Sequence, residues 1–285
     1  LINLKILNNL NNLSINIKGK LIDFKTPKIM GVLNISKDSF YDGGKYNSKY
    51  KAIKHAEKMF KDGADIIDIG AFTSKPGSKI ISSEKEKTIL FPILEALIKN
   101  FPESLFSIDT FRSDIAEYSI KIGGSIINDI SGGKFDKKMF KVVSKHQVPY
   151  VMMHIYDRPQ RMQLNPKYNN VVFEILNFFS NQVKKAHENG VTDIIIDPGF
   201  GFGKSLSHNY ELLKSLSLFK KINCPILVGI SRKSMIYNVI NSNPKSALNG
   251  TTVLNTFSLM KGANIIRVHD VKEAKECVSL WEYLH

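Results

Sequence analysis

The sequence predicts an α/β fold, a single (β/α)8 TIM barrel of 285 residues led by a short β-hairpin, and three observations carry that reading. Short, unbroken apolar runs alternate strictly with longer amphipathic stretches, eight of each. Runs of about four to seven residues without polar alternation are what strands look like when both faces are buried, as in a parallel sheet. Gly or Asn follows several amphipathic stretches (Gly63, Asn100, Gly123, Gly190 and Gly262), where a helix C-terminus favours a left-handed residue. No composition shift and no Pro/Gly/Ser-rich linker divides the chain, so residues 1–285 read as one domain. The alternative arrangement of the same elements is an open doubly wound sheet.

Residues 13–25 form the hairpin, because Lys18-Gly19-Lys20 is a turn signal between alternating apolar positions. The strand segments follow at 28–34 (KIMGVLN), 66–70 (IIDIG), 105–109 (LFSID), 125–129 (SIIND), 150–154 (YVMMH), 194–197 (IIID), 226–229 (ILVG) and 265–268 (IIRV). Apolar residues at helical spacing place helices at 50–61, 84–99, 113–122, 137–145, 171–189, 208–220, 246–261 and 271–284.

Composition excludes several functions. The net charge of +14 comes from 40 basic residues, of which only Arg112, Arg158, Arg161, Arg232 and Arg267 are arginines. The lysines are dispersed, so the excess is not the Arg-rich patch that a nucleic-acid partner would need. Cys224 and Cys277 cannot make a disulfide framework and suit a reducing, cytoplasmic setting. No run approaches the ~18 apolar residues of a membrane span. Asn interrupts the first thirteen residues too often for a signal peptide's apolar region. The chain begins at Leu1 rather than Met, as a piece of a longer polypeptide would.

In a barrel the loops after the strands converge on one mouth. The first polar residues after the apolar runs are Asn34, then Thr73 and Ser74, Asp109, Asn128 with Asp129, His154, Asp197, Ser231 with Arg232 and Lys233, and Arg267 with His269. Taken singly, Asp109 and Asp129 read equally well as helix caps, and Asp197-Pro198-Gly199 as a turn. Eight strand ends with the same polar character point instead to a shared site. Residues 34–44 (NISKDSFYDGG) suit a lid that carries Phe40 and Asp42, and residues 70–77 (GAFTSKPG) suit anion binding.

Residues 197–205 (DPGFGFGKS) end like a phosphate-binding loop, but Pro198 stands where that motif requires its first Gly, so a nucleotide kinase is disfavoured. Residues 229–235 (GISRKSM) put Ser234 near a helix N-terminus, where it and backbone N–H groups can hold an anion, with Lys233 beside it as a donor. Arg267 and His269, two residues apart on an extended chain, share one side and read as a phosphate clamp. His154 has no second ligand at metal spacing, and the remaining histidines read as surface or helix-end residues.

Seven segments in register, over nearly the whole chain, resemble the signatures of the dihydropteroate synthase family of pterin-binding barrels. They are IMGVLNISKDSFYDGG, GAFTSKPG, SIDT, IINDISGG, DPGFGFGKSLSHNYELL, GISRKS and RVHDV. The resemblance implies a transferase of folate biosynthesis. It would condense 6-hydroxymethyl-7,8-dihydropterin pyrophosphate with p-aminobenzoate by SN1-like loss of pyrophosphate. It further implies that Asp109, Asn128, Asp197, Lys233 and Met153 hold the pterin. Asn34, Ser74, Arg267 and His269 would hold the pyrophosphate, with Asn34 also ligating Mg²⁺. Ser234, Phe40 and Pro76 would seat p-aminobenzoate, and Asp42, Phe40 and Lys75 would serve the chemistry. A homodimer and inhibition by sulfonamides, which mimic p-aminobenzoate, complete the expectation.

The chain departs from the family in its second loop. Phe72-Thr73-Ser74-Lys75 replaces the usual Glu-Ser-Thr-Arg, and Lys75 cannot bind bidentately as Arg does. Two other readings exist. A corrinoid-type methyl transfer module shares the ring-binding acids but should lack Arg267, His269 and Ser234. A basic nucleic-acid-binding protein with a decayed site would need a recognised binding motif, and none is found.

Overall fold

The computed structural model describes residues 13–35, 45–71 and 80–284, for 45–48 the backbone alone. The expected site residues Phe40, Asp42, Ser74, Lys75 and Pro76 lie outside this set. The chain opens with β1 (Ser14–Ile17) and β2 (Lys20–Asp23), paired antiparallel from Ser14 opposite Asp23 to Ile17 opposite Lys20. Lys18 and Gly19 both take positive φ, 53° and 80°, as a two-residue hairpin turn demands.

Eight parallel strands follow: β3 (Lys28–Asn34), β4 (Ile66–Gly70), β5 (Leu105–Asp109), β6 (Ile126–Asp129), β7 (Tyr150–Met153), β8 (Ile194–Asp197), β9 (Leu227–Val228) and β10 (Ile265–Val268). Their order is β8-β7-β6-β5-β4-β3-β10-β9, and a parallel bridge between Ile196 and Ile226 joins the two ends into a barrel. Around it lie α1 (Lys45–Lys61), α2 (Ser83–Asn100), α3 (Ser113–Lys121), α4 (Met139–His146), α5 (Val171–Glu188), α6 (Leu206–Lys214), α7 (Ser234–Tyr237), α8 (Leu248–Met260) and α9 (Val271–Glu282). The expected barrel and hairpin are therefore the observed fold.

The differences are local. The helix expected over 208–220 ends at Lys214 and gives way to a 3-10 helix, Leu216–Ile222. Leu216 and Phe219, three apart, are both buried there, and a tighter three-residue turn aligns that spacing on one side. The expected strand 226–229 shortens to β9. The helix expected to begin near Ser234 is the short α7, and α8 starts two residues late because Asn243 caps a separate 3-10 turn, Pro244–Ser246.

The unbroken apolar runs conceal a period of two. Ile67, Ile69, Phe106, Ile108, Ile127, Tyr150, Met152, Ile194 and Ile266 pack outward against the helices. Met30, Ile66, Ile126, Val151, Ile195, Leu227 and Ile265 belong to a separate cluster with Ile15, Ile17 and Phe24 of the hairpin segment. This second cluster fills the N-terminal end of the barrel, and the hairpin closes it. Because successive strand residues face opposite ways, the next inward positions, two residues on, lie nearer the mouth.

Candidate active site

Those next inward positions are polar. Asp68 sits two residues after Ile66, Ser107 after Leu105, Asn128 after Ile126, Asp197 after Ile195 and Arg267 after Ile265. Asp68 is fully buried and is the hub: its carboxylate accepts from Ser107 Oγ (2.6 Å), Asn128 Nδ2 (3.0 Å) and Arg267 Nε (2.7 Å). Asp68 was absent from the sequence-based set because it lies inside an apolar run rather than at its end. Its one sequence signal is a carboxylate in phase with the other inward positions.

Asp109, at the end of β5, accepts from Arg267 Nη2 at 3.2 Å through Oδ2. Its Oδ1 is buried with no hydrogen-bond partner among the described residues. Burial, reinforced by the Asp68 charge and opposed by Arg267, pushes the Asp109 carboxyl well above the ordinary carboxylate range. Asp197 is also raised by burial, against the pull of Lys233; its Oδ1 accepts the Gly199 N–H at 2.7 Å.

Asn128 and Asp129 are adjacent in sequence but opposite in direction. Asn128 faces the barrel interior, whereas Asp129 accepts from Tyr150 Oη (2.7 Å), Ser131 N (2.7 Å) and Gly133 N (3.1 Å) and stabilises a turn.

The glycine-rich loop after β8 forms one wall. Gly199 has φ +70°, and a side chain there would run into the His154 carbonyl. Lys204, the lysine of the phosphate-loop lookalike, turns inward and is buried. Its ammonium donates to Gly199 O (2.8 Å) and Phe202 O (3.2 Å) and meets His154 Nδ1 at 3.1 Å, so it braces the loop. Lys233 Nζ in turn donates to Phe200 O at 2.6 Å and sits 4.7 Å from the centre of the Phe202 ring. Burial, partly offset by Asp197, lowers Lys233 to about 8.

The adjoining wall comes from the loops after β9 and β10, the next strands round the barrel. Arg232 bridges them, pairing Nε and Nη2 with the two carboxylate oxygens of Asp270 at 2.8 and 2.9 Å. His269 Nδ1 lies 3.1 Å from Ser231 Oγ. Ser234 is exposed at the start of α7, a helix of only four residues. The helix N-terminus expected there is present, but so short a helix sums little dipole, which leaves the hydroxyl and the first backbone N–H groups as the donors at that point.

These walls enclose a cavity of about 430 Å³, lined by Asn34, Asp109, Lys233, Ser234, Arg267 and His269 among others. Asn128, Asp197 and Met153 are not part of that lining, and Met162, which shares a cluster with Met153, supplies an apolar part of it. Arg267, expected with His269 as a phosphate clamp, pairs with two carboxylates that compensate its charge, and its Nη1 lacks a partner among the described residues. No group of three or more His, Cys, Asp or Glu side chains among the described residues could hold a metal.

A sequence model described as "Pterin binding enzyme" matches residues 30–269. The chain is 40% identical over 267 residues to the dihydropteroate synthase of Escherichia coli, covering 93% of this chain and 94% of that protein. It is 40% identical over 247 residues to that of Bacillus subtilis, covering 86% and 84%. The chain belongs to the dihydropteroate synthase family. Solved structures agree. Yersinia pestis dihydropteroate synthase, in a sulfonamide drug complex, superposes with a TM-score of 0.89 at 35% identity, covering 95% of this chain and 99% of that one. The Xanthomonas albilineans enzyme in complex with 7,8-dihydropteroate gives 0.84 at 28% identity, covering 95% and 98%. Within this family's barrel, the cavity at the strand ends is where loop variation and chemistry meet.

Proposed function

We propose that the protein condenses 6-hydroxymethyl-7,8-dihydropterin pyrophosphate with p-aminobenzoate to form 7,8-dihydropteroate, releasing pyrophosphate. The observation that carries the reading is Asp109 Oδ1, a buried oxygen at a cavity wall that has no partner among the described residues. A buried carboxylate oxygen without a donor is costly, and a 2-amino-4-oxo pteridine presents N–H donors to such an atom. Asn128 and Asp197 extend the acceptor surface behind it, and the Lys233 ammonium donates to the ring's oxygen and nitrogen edge.

The reaction is an SN1-like displacement. The bond from the pterin methylene carbon to the pyrophosphate oxygen breaks with its electron pair staying on oxygen. The arylamine lone pair then closes the new C–N bond, and its proton passes to solvent. Arg267 Nη1 and His269 face the growing negative charge of the leaving group. The acidic side chains of Asp68, Asp109 and Asp197 make the pocket's floor favourable for a pterin that gains positive charge, beside which the raised carboxyls of Asp109 and Asp197 would ionise more readily. Phe40, Asp42, Ser74, Lys75 and Pro76 complete the reading as lid and p-aminobenzoate seat, with Ser234 holding the carboxylate.

Mg²⁺ belongs to the proposal. Asn34 lines the cavity, and an amide oxygen is a hard ligand of the kind that suits an ion bound mainly through substrate phosphates and water rather than an all-protein cage. When bound, the ion would neutralise pyrophosphate oxygens. A homodimer is proposed as well, supported by Val253, Phe257 and Met260, which lie exposed on one face of α8. Two buried thiols, Cys224 and Cys277, suit a cytoplasmic enzyme, and no helix among the described residues is long and apolar enough to cross a membrane. Sulfonamides would compete at Ser234.

The test is pyrophosphate release from the dihydropterin pyrophosphate with Mg²⁺, with and without p-aminobenzoate. Release that rises with the arylamine and yields dihydropteroate is expected. Pterin binding without release would leave a pterin-binding barrel that lacks the transfer step.

A further inference from the structure

We infer that Ser231 sets the tautomer of His269, so that the imidazole carries its proton on Nε2 and offers the leaving pyrophosphate a neutral N–H donor. The inference rests on the synthase reading of the cavity and names how one of its walls is prepared.

Ser231 Oγ lies 3.2 Å from the His269 backbone nitrogen and 3.1 Å from its ring Nδ1. A backbone N–H can only donate, so the oxygen accepts there. The hydroxyl hydrogen must then find an acceptor of its own, because Ser231 is 4% exposed and a buried donor without a partner is unfavourable. Nδ1 is the acceptor within reach, and among the described residues the hydroxyl has no other. An accepting Nδ1 leaves the ring neutral with its hydrogen on Nε2. With Nδ1 turned to Ser231, Nε2 lies on the other edge of the ring, and His269 lines the cavity.

The surroundings hold this arrangement. Arg232, at φ +54°, grips Asp270 with two hydrogen bonds and Pro244 O with a third (2.8 Å), which locks the Ser231 loop against the His269 loop. Partial burial and the nearby Arg267 charge lower the proton affinity of His269, with Arg232 and Lys233 adding to the effect and Asp270 opposing it. A neutral donor of fixed direction needs no rearrangement as charge grows on the leaving oxygen, which is how preorganised sites gain their advantage.

The experiment is ¹⁵N NMR of the histidine rings in the ligand-free protein, with His269 assigned by its loss in His269→Gln. A pyridine-like Nδ1 and a pyrrole-like Nε2 are expected; the reverse pattern overturns the inference. In Ser231→Ala the two tautomers should mix, and inorganic pyrophosphate with Mg²⁺ should inhibit about fivefold more weakly, the scale of one hydrogen bond. Ser231→Thr, which keeps the hydroxyl, should restore both. An unchanged tautomer in Ser231→Ala also overturns the inference. Titrating inorganic pyrophosphate into the wild type separates the two readings. If the Nε2 signal is pyrrole-like but does not respond to the anion, the tautomer stands and the assignment of this wall to the leaving group fails.

Discussion

The two ends of the barrel interior are built by the same strands in the same inward phase, yet they do opposite work. At the N-terminal end Ile66, Ile126, Ile195 and Ile265 form a dry layer sealed by the hairpin. Two residues further along those same strands stand Asp68, Asn128, Asp197 and Arg267. The step between layers is only about 7 Å of extended chain. Such a short step means that the apolar floor excludes water from beneath the polar layer. The charges above it therefore act in a medium of low dielectric, where pairing is strong and a missing partner is expensive.

The largest effect should come from the hub of the polar layer. Asp68→Ala removes the carboxylate shared by Ser107, Asn128 and Arg267 and should cost about 4 kcal/mol of folding stability, the scale for breaking a buried ion pair. Dihydropteroate synthesis should fall with it. Chemical denaturation and a steady-state assay measure the two; a stable variant with native turnover would mean that the polar layer is not a single network. Arg267→Ala is next. It should lower kcat/KM by about 3 kcal/mol of transition-state stabilisation, the usual scale for one preorganised charge partner. Pyrophosphate release at the wild-type rate would show that Nη1 does not face the leaving group.

The difference between the layers also explains what was legible in the sequence. The barrel could be read because eight doubly buried strands produce eight unbroken apolar runs, and the hairpin because Lys18 and Gly19 form a recognisable turn. Asp109, Asp197 and His269 could be read because they stand where an apolar run ends, and Arg267 because a lone cation in the last run stands two residues before His269. Asp68 could not, because the eye treats IIDIG as one run and only the inward phase of Ile66 marks it as polar interior. Lys204 shows another limit. Pro198 correctly rules out a phosphate loop, but the burial of the lysine depends on carbonyls that converge only after Gly199 and Gly203 adopt positive φ. The ion pairs of Arg267 join residues 199 and 158 positions apart, and nothing local in the sequence encodes them. The four-residue length of α7 was hidden for the same reason, since Tyr210 on α6 donates to Met235 O across 25 positions and packs that end.

A third prediction uses pH to probe the polar layer without a large structural change. Lys233 is lowered to about 8, so it is mostly protonated at pH 7 and loses its charge as pH rises through that value. Since kcat/KM reports the ionisation of free enzyme, it should fall about tenfold per unit well above that value. Asp109 is lifted to about 8 as well, so the two groups are separated by substitution: Lys233→Arg should carry the limb out of the accessible range, whereas Asp109→Asn should leave it in place. A limb that follows Asp109 instead would reassign the titrating group.

The smallest effect is expected from the dry layer, and it is the sharpest check on the comparison. Ile195→Val removes one methylene directly beneath Asp197 and should cost about 1 kcal/mol of stability. The fold as a whole bears that cost, because Ile195 belongs to the hairpin cluster and is not itself part of the cavity lining. KM for both substrates and kcat should therefore stay within about twofold, as expected for sites that share no partners. A larger kinetic change at equal stability would mean that the floor positions Asp197 and that the two layers are coupled through the strand. In that case the apolar end of the barrel would belong to the active site as a support, and a double substitution of Ile195 and Asp197 should then show non-additive kinetics.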